Sequence, residues 1–318
     1  MEPRYPSPLV VRSRLVLEVA SEVVGMNQWP YRQARVNLRD QGGLEWKLSL
    51  FGSDTVEAIE EVARGDVHLA TINPSSPLTM AYRGRGPFKE PIPVRAIAVI
   101  PTQDQFAFAV TEKTGLRSFA DVLERRYPLR VSLRGQKRHS VHLVVKEVLA
   151  QAGFSLDDLV SWGGQVRYDE GMPDGPNRFG AVQRGEVDAL FDEAVKRWTN
   201  QALDAGMRFL SLEEDHAKRI EEVGFRRTIL AKSIYPKLPA DVTAVDFSGW
   251  PIFTHADVSD HIVRSFCIAL DNRTDRIPWQ GEGPLPLERM CADTPEGPLD
   301  VPLHPAAEMF WRERGYLT

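Results

Sequence analysis

Short apolar runs alternate with segments of helical spacing from one end of the chain to the other. In the first hundred residues this pattern predicts strands at 15–20, 46–50 and 67–72, a loop at 22–31, a helix from there to Asp40, and a second helix at 54–63. Asp54 and Glu57 have the spacing of a capping box, and Gly65 is a typical C-cap. Such alternation is typical of α/β architecture.

Two apolar runs near the middle of the chain predict a crossing between two lobes. Residues 96–101 and 105–110 read as strands separated by a polar break that contains proline, and a return crossing fits residues 242–253. We therefore expect a discontinuous lobe 1, formed by residues 1–100 and 250–318, and an inserted lobe 2, formed by residues 101–249. The predicted fold class is α/β with two lobes and a hinge of two crossing segments.

The remaining elements of lobe 2 follow from caps and periodicity. Ser118 is a predicted N-cap with Asp121 three residues later, and Gly153 ends a helix predicted at residues 139–151. A weak internal sequence repeat supports two similarly built lobes. Residues 63–70 resemble residues 183–190, and each segment predicts a helix that ends at a glycine before a short strand.

Composition and charge exclude several classes of protein. The chain has 318 residues and a net charge of −5, which argues against a dedicated nucleic-acid binder. Apolar runs are far too short to cross a membrane, and charges interrupt every apolar stretch near the N-terminus. On the sequence as given we expect a cytoplasmic protein, and a periplasmic one if a leader has been removed. Of the two cysteines, Cys267 is predicted to be a buried thiol, and its pairing with Cys291 stays open.

Candidate ligand-binding residues follow the predicted strands, where ligands bind in open α/β sheets. They are Asn27, Trp29, Tyr31, Ser53, Asn73, Ser75, Arg134, His139, Ser140, Asp192 and Glu193. Arg134 is the foremost candidate, because it ends a strand beside a helix N-terminus, where cations oppose the helix dipole. A bound anion would explain Arg134, Lys137 and Arg138 at this position, and the alternative is a solvated run of surface charge. The planar fork of Arg134 matches a carboxylate. Asp192 and Glu193 could hold a ligand ammonium or pair with Arg134.

Motifs of known catalytic chemistry are absent from the sequence. It contains no nucleophile elbow, P-loop, dinucleotide fingerprint or zinc-protease motif. His139 and His142 are spaced to share a metal, but no third ligand is evident nearby. We therefore assign no catalytic residue, metal or cofactor, and we favour a binding protein over an enzyme.

Several segments, taken in order, resemble the TAXI family of TRAP-transporter solute-binding proteins. They are residues 52–59, 64–70, 114–122, 151–159 and 183–191, and the tail at 301–315, which includes Pro302-Leu303-His304-Pro305. The resemblance implies a type II periplasmic-binding-protein fold, whose two lobes close on an amino acid or organic acid. Two loops depart from the family, at 25–31 and 133–139, and both lie where ligand would be contacted.

The leading functional hypothesis is a solute-binding protein for a small carboxylate metabolite. Its expected partners are that ligand and the membrane subunits of a TRAP transporter, without insertion into the membrane, and we expect a monomer or a weak dimer. The alternatives are a cytoplasmic enzyme on the same fold, decarboxylase-like or biosynthetic, and a cytoplasmic ligand sensor.

Overall fold

The computed structural model describes residues 8–26, 33–39, 48–53 and 55–317. The strands, in chain order, are β1 (Ala34–Leu38), β2 (Leu48–Gly52), β3 (Leu69–Thr71), β4 (Val94–Ile100), β5 (Gln105–Thr111), β6 (Arg130–Arg134), β7 (Gln165–Asp169), β8 (Ala189–Asp192), β9 (Met207–Phe209), β10 (Arg227–Leu230), β11 (Val242–Asp246) and β12 (Trp250–His255). The helices are α1 (Pro8–Met26), α2 (Glu57–Arg64), α3 (Ser76–Arg83), α4 (Phe119–Glu124), α5 (Ser140–Ala152), α6 (Leu156–Ser161), α7 (Phe179–Gln183), α8 (Val195–Asp204), α9 (Glu214–Val223), α10 (Asp260–Asp271), α11 (Leu287–Met290) and α12 (Pro305–Glu313).

The described strands form two sheets. The first has the order β1-β2-β3-β12-β4, with β2 and β3 parallel and β12 antiparallel to both of its neighbours. The second has the order β10-β11-β5-β8-β6-β7, with β9 also paired to β5. The chain passes from the first sheet to the second between β4 and β5, and it returns between β11 and β12. The predicted fold class, a two-lobed mixed α/β protein with two crossing segments, is confirmed, whereas the division at residues 100 and 250 stays a prediction.

Several local predictions are also confirmed. Ser118 accepts a hydrogen bond from the backbone of Asp121 at 3.0 Å and caps α4. The internal sequence repeat at residues 63–70 and 183–190 corresponds to a repeated local structure. Gly65 and Gly185 adopt left-handed φ values of 76° and 71°, and the short strands β3 and β8 follow them. Gly153 ends α5 in the same conformation.

The N-terminal predictions are wrong. Residues 15–20, predicted as a strand, lie within α1, because apolar residues recur at four-residue spacing, as in Val11, Leu15, Val19 and Val23. Of the helix predicted up to Asp40, residues 34–38 instead form β1, where apolar and polar residues alternate and the strand pairs antiparallel with β2.

The capping box predicted at the start of α2 is also corrected. The helix begins at Glu57, and its N-cap is Val56, which makes no side-chain capping bond. Asp54, the predicted cap, lies outside the described residues. Of the loop predicted at 22–31, residues 22–26 belong to α1 and the rest lies outside the described residues.

The two halves of the molecule make contact away from the crossing segments. Met80 of α3 is buried in the hydrophobic core of the second sheet, and Arg83 Nη1 donates to the carbonyl of Glu221 at 3.1 Å. Arg226 donates to both carboxylate oxygens of Asp300, at 2.9 and 2.8 Å. These contacts join α3 and residue 300, which belong to the half with the first sheet, to the half with the second sheet.

A substitution at Gly224 tests the packing of Met80 against the half that contains the second sheet. Gly224 has a φ of 127°, and a Cβ there would lie 3.1 Å from the backbone nitrogen of Met80. We expect Gly224→Ala to lower the free energy of unfolding by about 2–5 kcal/mol, from backbone strain and crowding together. Gly206→Ala is the control, since its φ is 69° and its Cβ would meet no atom within 4 Å. We expect this control to lower the free energy of unfolding by about 1–2 kcal/mol, as measured by urea unfolding. Equal losses would mean that Met80 yields to the added methyl group.

Candidate functional site

The carboxyl ends of β6 and β8 meet in the second sheet. The two strands are parallel neighbours, with Val131 opposite Ala189. Arg134 is the last residue of β6, Asp192 is the last residue of β8, and Glu193 follows it. The fold therefore brings together three residues that the sequence singled out, at a strand edge of the kind where α/β proteins bind ligands.

Arg134 is buried, with 4% of its surface exposed, and acidic side chains meet its charge. Its Nη2 donates to Asp192 Oδ1 at 2.7 Å and also contacts the carboxylate of Glu193. Its Nη1 lies 3.4 Å from Nε2 of His139. Its Nε has no hydrogen-bond partner among the described residues. Of the two alternatives for Asp192 and Glu193, the structure shows the pairing with Arg134.

Arg178, which the sequence analysis missed, completes this buried cluster. Its surface is fully buried, and its Nη1 contacts the second carboxylate oxygen of Asp192. Its Nε donates to Ser132 Oγ at 3.3 Å, and its Nη2 donates to the Ser132 carbonyl at 3.1 Å. No sequence signal marks this role, because Arg178 ends a loop rich in glycine and proline that reads as exposed.

The carboxyl groups of the cluster titrate far apart. Burial acts to raise the pKa of Asp192, but the charges of Arg178 and Arg134 outweigh it and lower that pKa. Burial raises the pKa of Glu193 to about 8, and the nearby carboxyl group of Asp104 adds to the rise. The pKa of Asp104 is itself raised by burial. At neutral pH Glu193 therefore holds a proton that it can donate to Asp104.

Asp104 connects this cluster to the two crossing segments. Its carboxylate accepts the backbone N–H of Ala194, which reaches it from a left-handed φ of 57°. Its backbone N–H donates to Ser248 Oγ at 3.1 Å, and its carbonyl accepts from the N–H of Phe247 at 3.0 Å. Asp104 precedes β5 on the first crossing, and residues 247–249 form the second. Hydrogen bonds thus link the buried charges to the only described segments that join the two sheets.

The N-terminus of α5 is capped by an imidazole. His139 is the N-cap, and its Nδ1 accepts the backbone N–H of Val141 at 3.2 Å. A nitrogen that accepts this bond carries no proton, so the neutral ring has its proton on Nε2. His139 therefore takes the place of the serine or aspartate that commonly caps a helix.

A cavity of about 340 Å³ lies where the starts of α2 and α5 face each other across the two halves. Arg138 Nη1 lies 3.2 Å from Glu57 Oε2, so an exposed ion pair spans this cleft. The lining residues are Thr55, Val56, Glu57 and Glu60 from one side, and Lys137, Arg138, His139, Ser140, His142 and Leu143 from the other. His139 and Ser140 are the predicted residues among them.

Three of the other predicted ligand-binding residues, Ser53, Asn73 and Ser75, follow strands of the first sheet. Ser53 Oγ accepts the backbone N–H of Thr55 at 3.1 Å. The Oδ1 of Asn73 and the Oγ of Ser75 are buried without a hydrogen-bond partner among the described residues. Neither Asn73 nor Ser75 lines the cavity between α2 and α5. Asn27, Trp29 and Tyr31 lie outside the described residues.

No group of three metal-ligating side chains occurs within the residues that the structure describes. In the same part of the chain, no helix combines the length and apolar character that crossing a bilayer requires. Cys267 is a buried free thiol, as predicted, and Cys291 is also buried and free. Burial raises the pKa of Cys267 to about 12 and that of Cys291 to about 11.

Solved structures of low sequence identity resemble the chain in part. The periplasmic aliphatic sulphonate binding protein SsuA from Escherichia coli is 16% identical, with 69% of this chain and 58% of that chain covered and a TM-score of 0.35. PhnD1 from Prochlorococcus marinus, in complex with methylphosphonate, is 13% identical, with 71% of each chain covered and a TM-score of 0.36. The glycine/betaine/L-proline-binding protein ProX from Borrelia burgdorferi is 8% identical, with 68% and 67% covered and a TM-score of 0.38.

The chain thus spans less than two thirds of the length of the Escherichia coli protein. Such low TM-scores give no information about the ligand of this chain. No curated protein matches the sequence. A family model, by contrast, matches residues 52–315, which include both crossing segments and the cavity between α2 and α5. The chain belongs to the NMT1-like family.

Proposed function

We propose that this protein is a solute-binding protein that captures a small carboxylate-bearing metabolite in the cleft between its two halves. The observation that carries the proposal is the cavity where α2 and α5 begin, because residues of both halves line it. Movement about the two crossing segments would open and close this cavity around a ligand. Its volume of about 340 Å³ suits a small metabolite.

The cations on the α5 side favour an anionic ligand. Lys137 and Arg138 line the cavity, and Arg138 is held by Glu57 across the cleft. A ligand carboxylate would replace Glu57 as the partner of Arg138. Arg134 stays a proposed contact as well, through the Nε that has no partner among the described residues. Its Nη2 already contacts Asp192 and Glu193.

The resemblance to the TAXI family supports a more specific role. In that role the chain would deliver its ligand, in the periplasm, to the membrane subunits of a TRAP transporter. Genes for such membrane subunits next to the gene of this protein would support transport. Neighbouring metabolic genes alone would favour a cytoplasmic enzyme or sensor.

Competition between Glu57 and the ligand gives a test. Native mass spectrometry of the purified protein should identify a bound carboxylate, whose affinity is then measured by calorimetry. We expect Glu57→Gln to tighten binding about two- to fivefold, because it releases Arg138 from an exposed pair worth less than about 1 kcal/mol. Arg138→Ala should weaken binding by a similar factor.

Glu60→Gln is the matched control, because Glu60 lines the same cavity but its ion pair is with Arg64, at 3.9 Å. The substitution removes the same charge without releasing Arg138, and we expect a smaller gain in affinity. Equal gains in both variants would show that general charge, and not Arg138, attracts the ligand. A bound ligand without an anionic group would contradict the proposed substrate class.

A further inference from the structure

A second cavity, of about 470 Å³, lies at the opposite end of the first sheet. Thr55 and Val56, which line the cleft, follow the carboxyl end of β2, which runs parallel to β3. This cavity is instead near the start of β3 and the end of β12, and we call it the outer-edge cavity. Its lining residues are Val62, Ala63, Arg64, Gly65, Val67, His68, His255, Asp257, Val258, Ser259 and Ile262.

Two histidines line the outer-edge cavity where β3 begins and β12 ends. Strands β3 and β12 are antiparallel, with Leu69 opposite Thr254. His68 directly precedes β3 and His255 is the last residue of β12, so the antiparallel pairing brings the two residues to the same end of the sheet. Both line the outer-edge cavity.

The hydrogen bonds of His68 determine where its proton lies. The backbone N–H of Ser49 donates to His68 Nδ1 at 3.1 Å, and a backbone amide can only donate. Nδ1 therefore has no proton, and the neutral ring carries it on Nε2. Burial lowers the pKa of His68, which favours this neutral form.

The same reasoning applies to His255. Its Nδ1 accepts the backbone N–H of Asp257 at 3.2 Å, so its neutral ring also has the proton on Nε2. The carboxylate of Asp257 lies 3.7 Å from the same Nδ1 and is exposed. The cavity thus has two Nε2–H donors whose polarity is set by backbone amides behind them.

Donors of this kind exclude one class of ligand and favour another. A protonated Nε2 has no free lone pair for a metal ion, whereas it can donate to an oxygen. Arg64 is the cation of the cavity wall, where its Nε is paired with Asp66 at 2.8 Å, and the exposed carboxylate of Asp257 adds a negative charge. Val62, Val67, Val258 and Ile262 add apolar walls. A monoanion with an apolar body fits this combination better than a polyanion does.

We propose that the outer-edge cavity binds a small carboxylate with an apolar body, whose oxygens accept hydrogen bonds from Nε2–H of His68 and His255. This site is separate from the cleft between the two halves and does not depend on the function proposed for it. The apolar body of the ligand would contact Val258 and Ile262.

Hexanoate is a suitable probe, with hexanol as the ligand control that has the same body but no carboxylate. In two-dimensional NMR of the imidazole nitrogens of the full chain, we expect hexanoate to shift the Nε2–H signals of His68 and His255 with a millimolar or lower Kd. Hexanol should not shift them. Equal shifts with hexanol, or hexanoate shifts confined to His139 and His142 in the cleft, would overturn the proposal.

A pair of variants completes the experiment. His255→Phe should weaken hexanoate binding at least tenfold, as read from the remaining His68 signal. His261→Phe makes the same substitution on α10 at a residue that does not line the cavity, and it should leave the affinity unchanged. Unchanged affinity in His255→Phe, with the protein still folded by circular dichroism, would contradict the assigned donor.

Discussion

Replacing Arg178 with methionine is expected to lower the free energy of unfolding by about 3–5 kcal/mol. The substitution keeps most of the side-chain volume but removes one of the two cations that hold the buried carboxylate of Asp192. It also leaves the carbonyl of Ser132 without the donor that it has at 3.1 Å. Removal of one partner from a buried ion pair is costly because an uncompensated charge stays buried.

Urea unfolding measures this loss, and Arg184→Met is the matched control. Arg184 lies six residues later, is about half exposed and pairs with Glu186 on the surface. Its loss should leave the free energy of unfolding nearly unchanged, because exposed ion pairs contribute little to stability. The double variant Arg178→Met with Asp192→Asn should recover part of the loss, since the buried charge is then gone. Similar small losses in both single variants would mean that Arg134 alone satisfies Asp192.

Glu193 is expected to make the protein less stable as the pH rises from about 4.5 to about 8. Its pKa is about 8 in the folded state and near 4.5 when exposed, so the folded state holds a proton that the unfolded state has lost. The state that binds more protons is favoured at low pH, and the free energy of unfolding therefore falls across this window. A shift of this size amounts to a few kcal/mol at alkaline pH.

Glu193→Gln should remove most of this slope, because glutamine resembles the protonated carboxyl group at every pH. We expect the variant and the parent protein to be similar at pH 4 and the variant to be more stable by a few kcal/mol at pH 9. A shallower slope of the same sign should remain from Asp246, whose pKa burial raises to about 6, and from Asp104, whose pKa burial also raises. Urea unfolding at several pH values measures these slopes.

Glu186→Gln serves as the control for this measurement. Ion pairs with Arg184 and Arg167 lower the pKa of Glu186 to about 2. Its contribution to stability is therefore present above about pH 4.5 and is lost as the pH falls towards 2, which leaves the window of Glu193 untouched. A parent protein with a flat stability profile between pH 4.5 and 8 would show that Glu193 is ionised when folded.

The cluster around Arg134 shows how far site prediction from sequence extends. The position of Arg134 at a strand end was readable, and so was that of Asp192 at the end of another strand. Their contact depends on which strands are neighbours in the sheet, and the two residues are 58 positions apart. The same limit explains why Arg178 was missed. A local sequence pattern gives no information on the distance between remote side chains.

The N-terminal segment shows the corresponding limit for secondary structure. A short run such as Leu15-Val16-Leu17 is compatible with a strand and with part of a helix. Over so few residues the two-residue period of a strand and the 3.6-residue period of a helix cannot be told apart. The structure places this run in α1. Longer or better-bounded segments did not have this ambiguity, as Gly65 and Gly153 show at the ends of α2 and α5.

By itself, the sequence determined that this is an α/β protein with two lobes and two crossings, because periodicity, caps and the strands on either side of residues 101–104 are local properties. Only the tertiary structure decided which other side chains the candidate site residues contact. It paired Arg134 with acids, buried Arg178 beside them, and brought His68 and His255 to one cavity. Ion pairs and cavities depend on distances between residues remote in sequence, and those distances exist only once the sheets have formed.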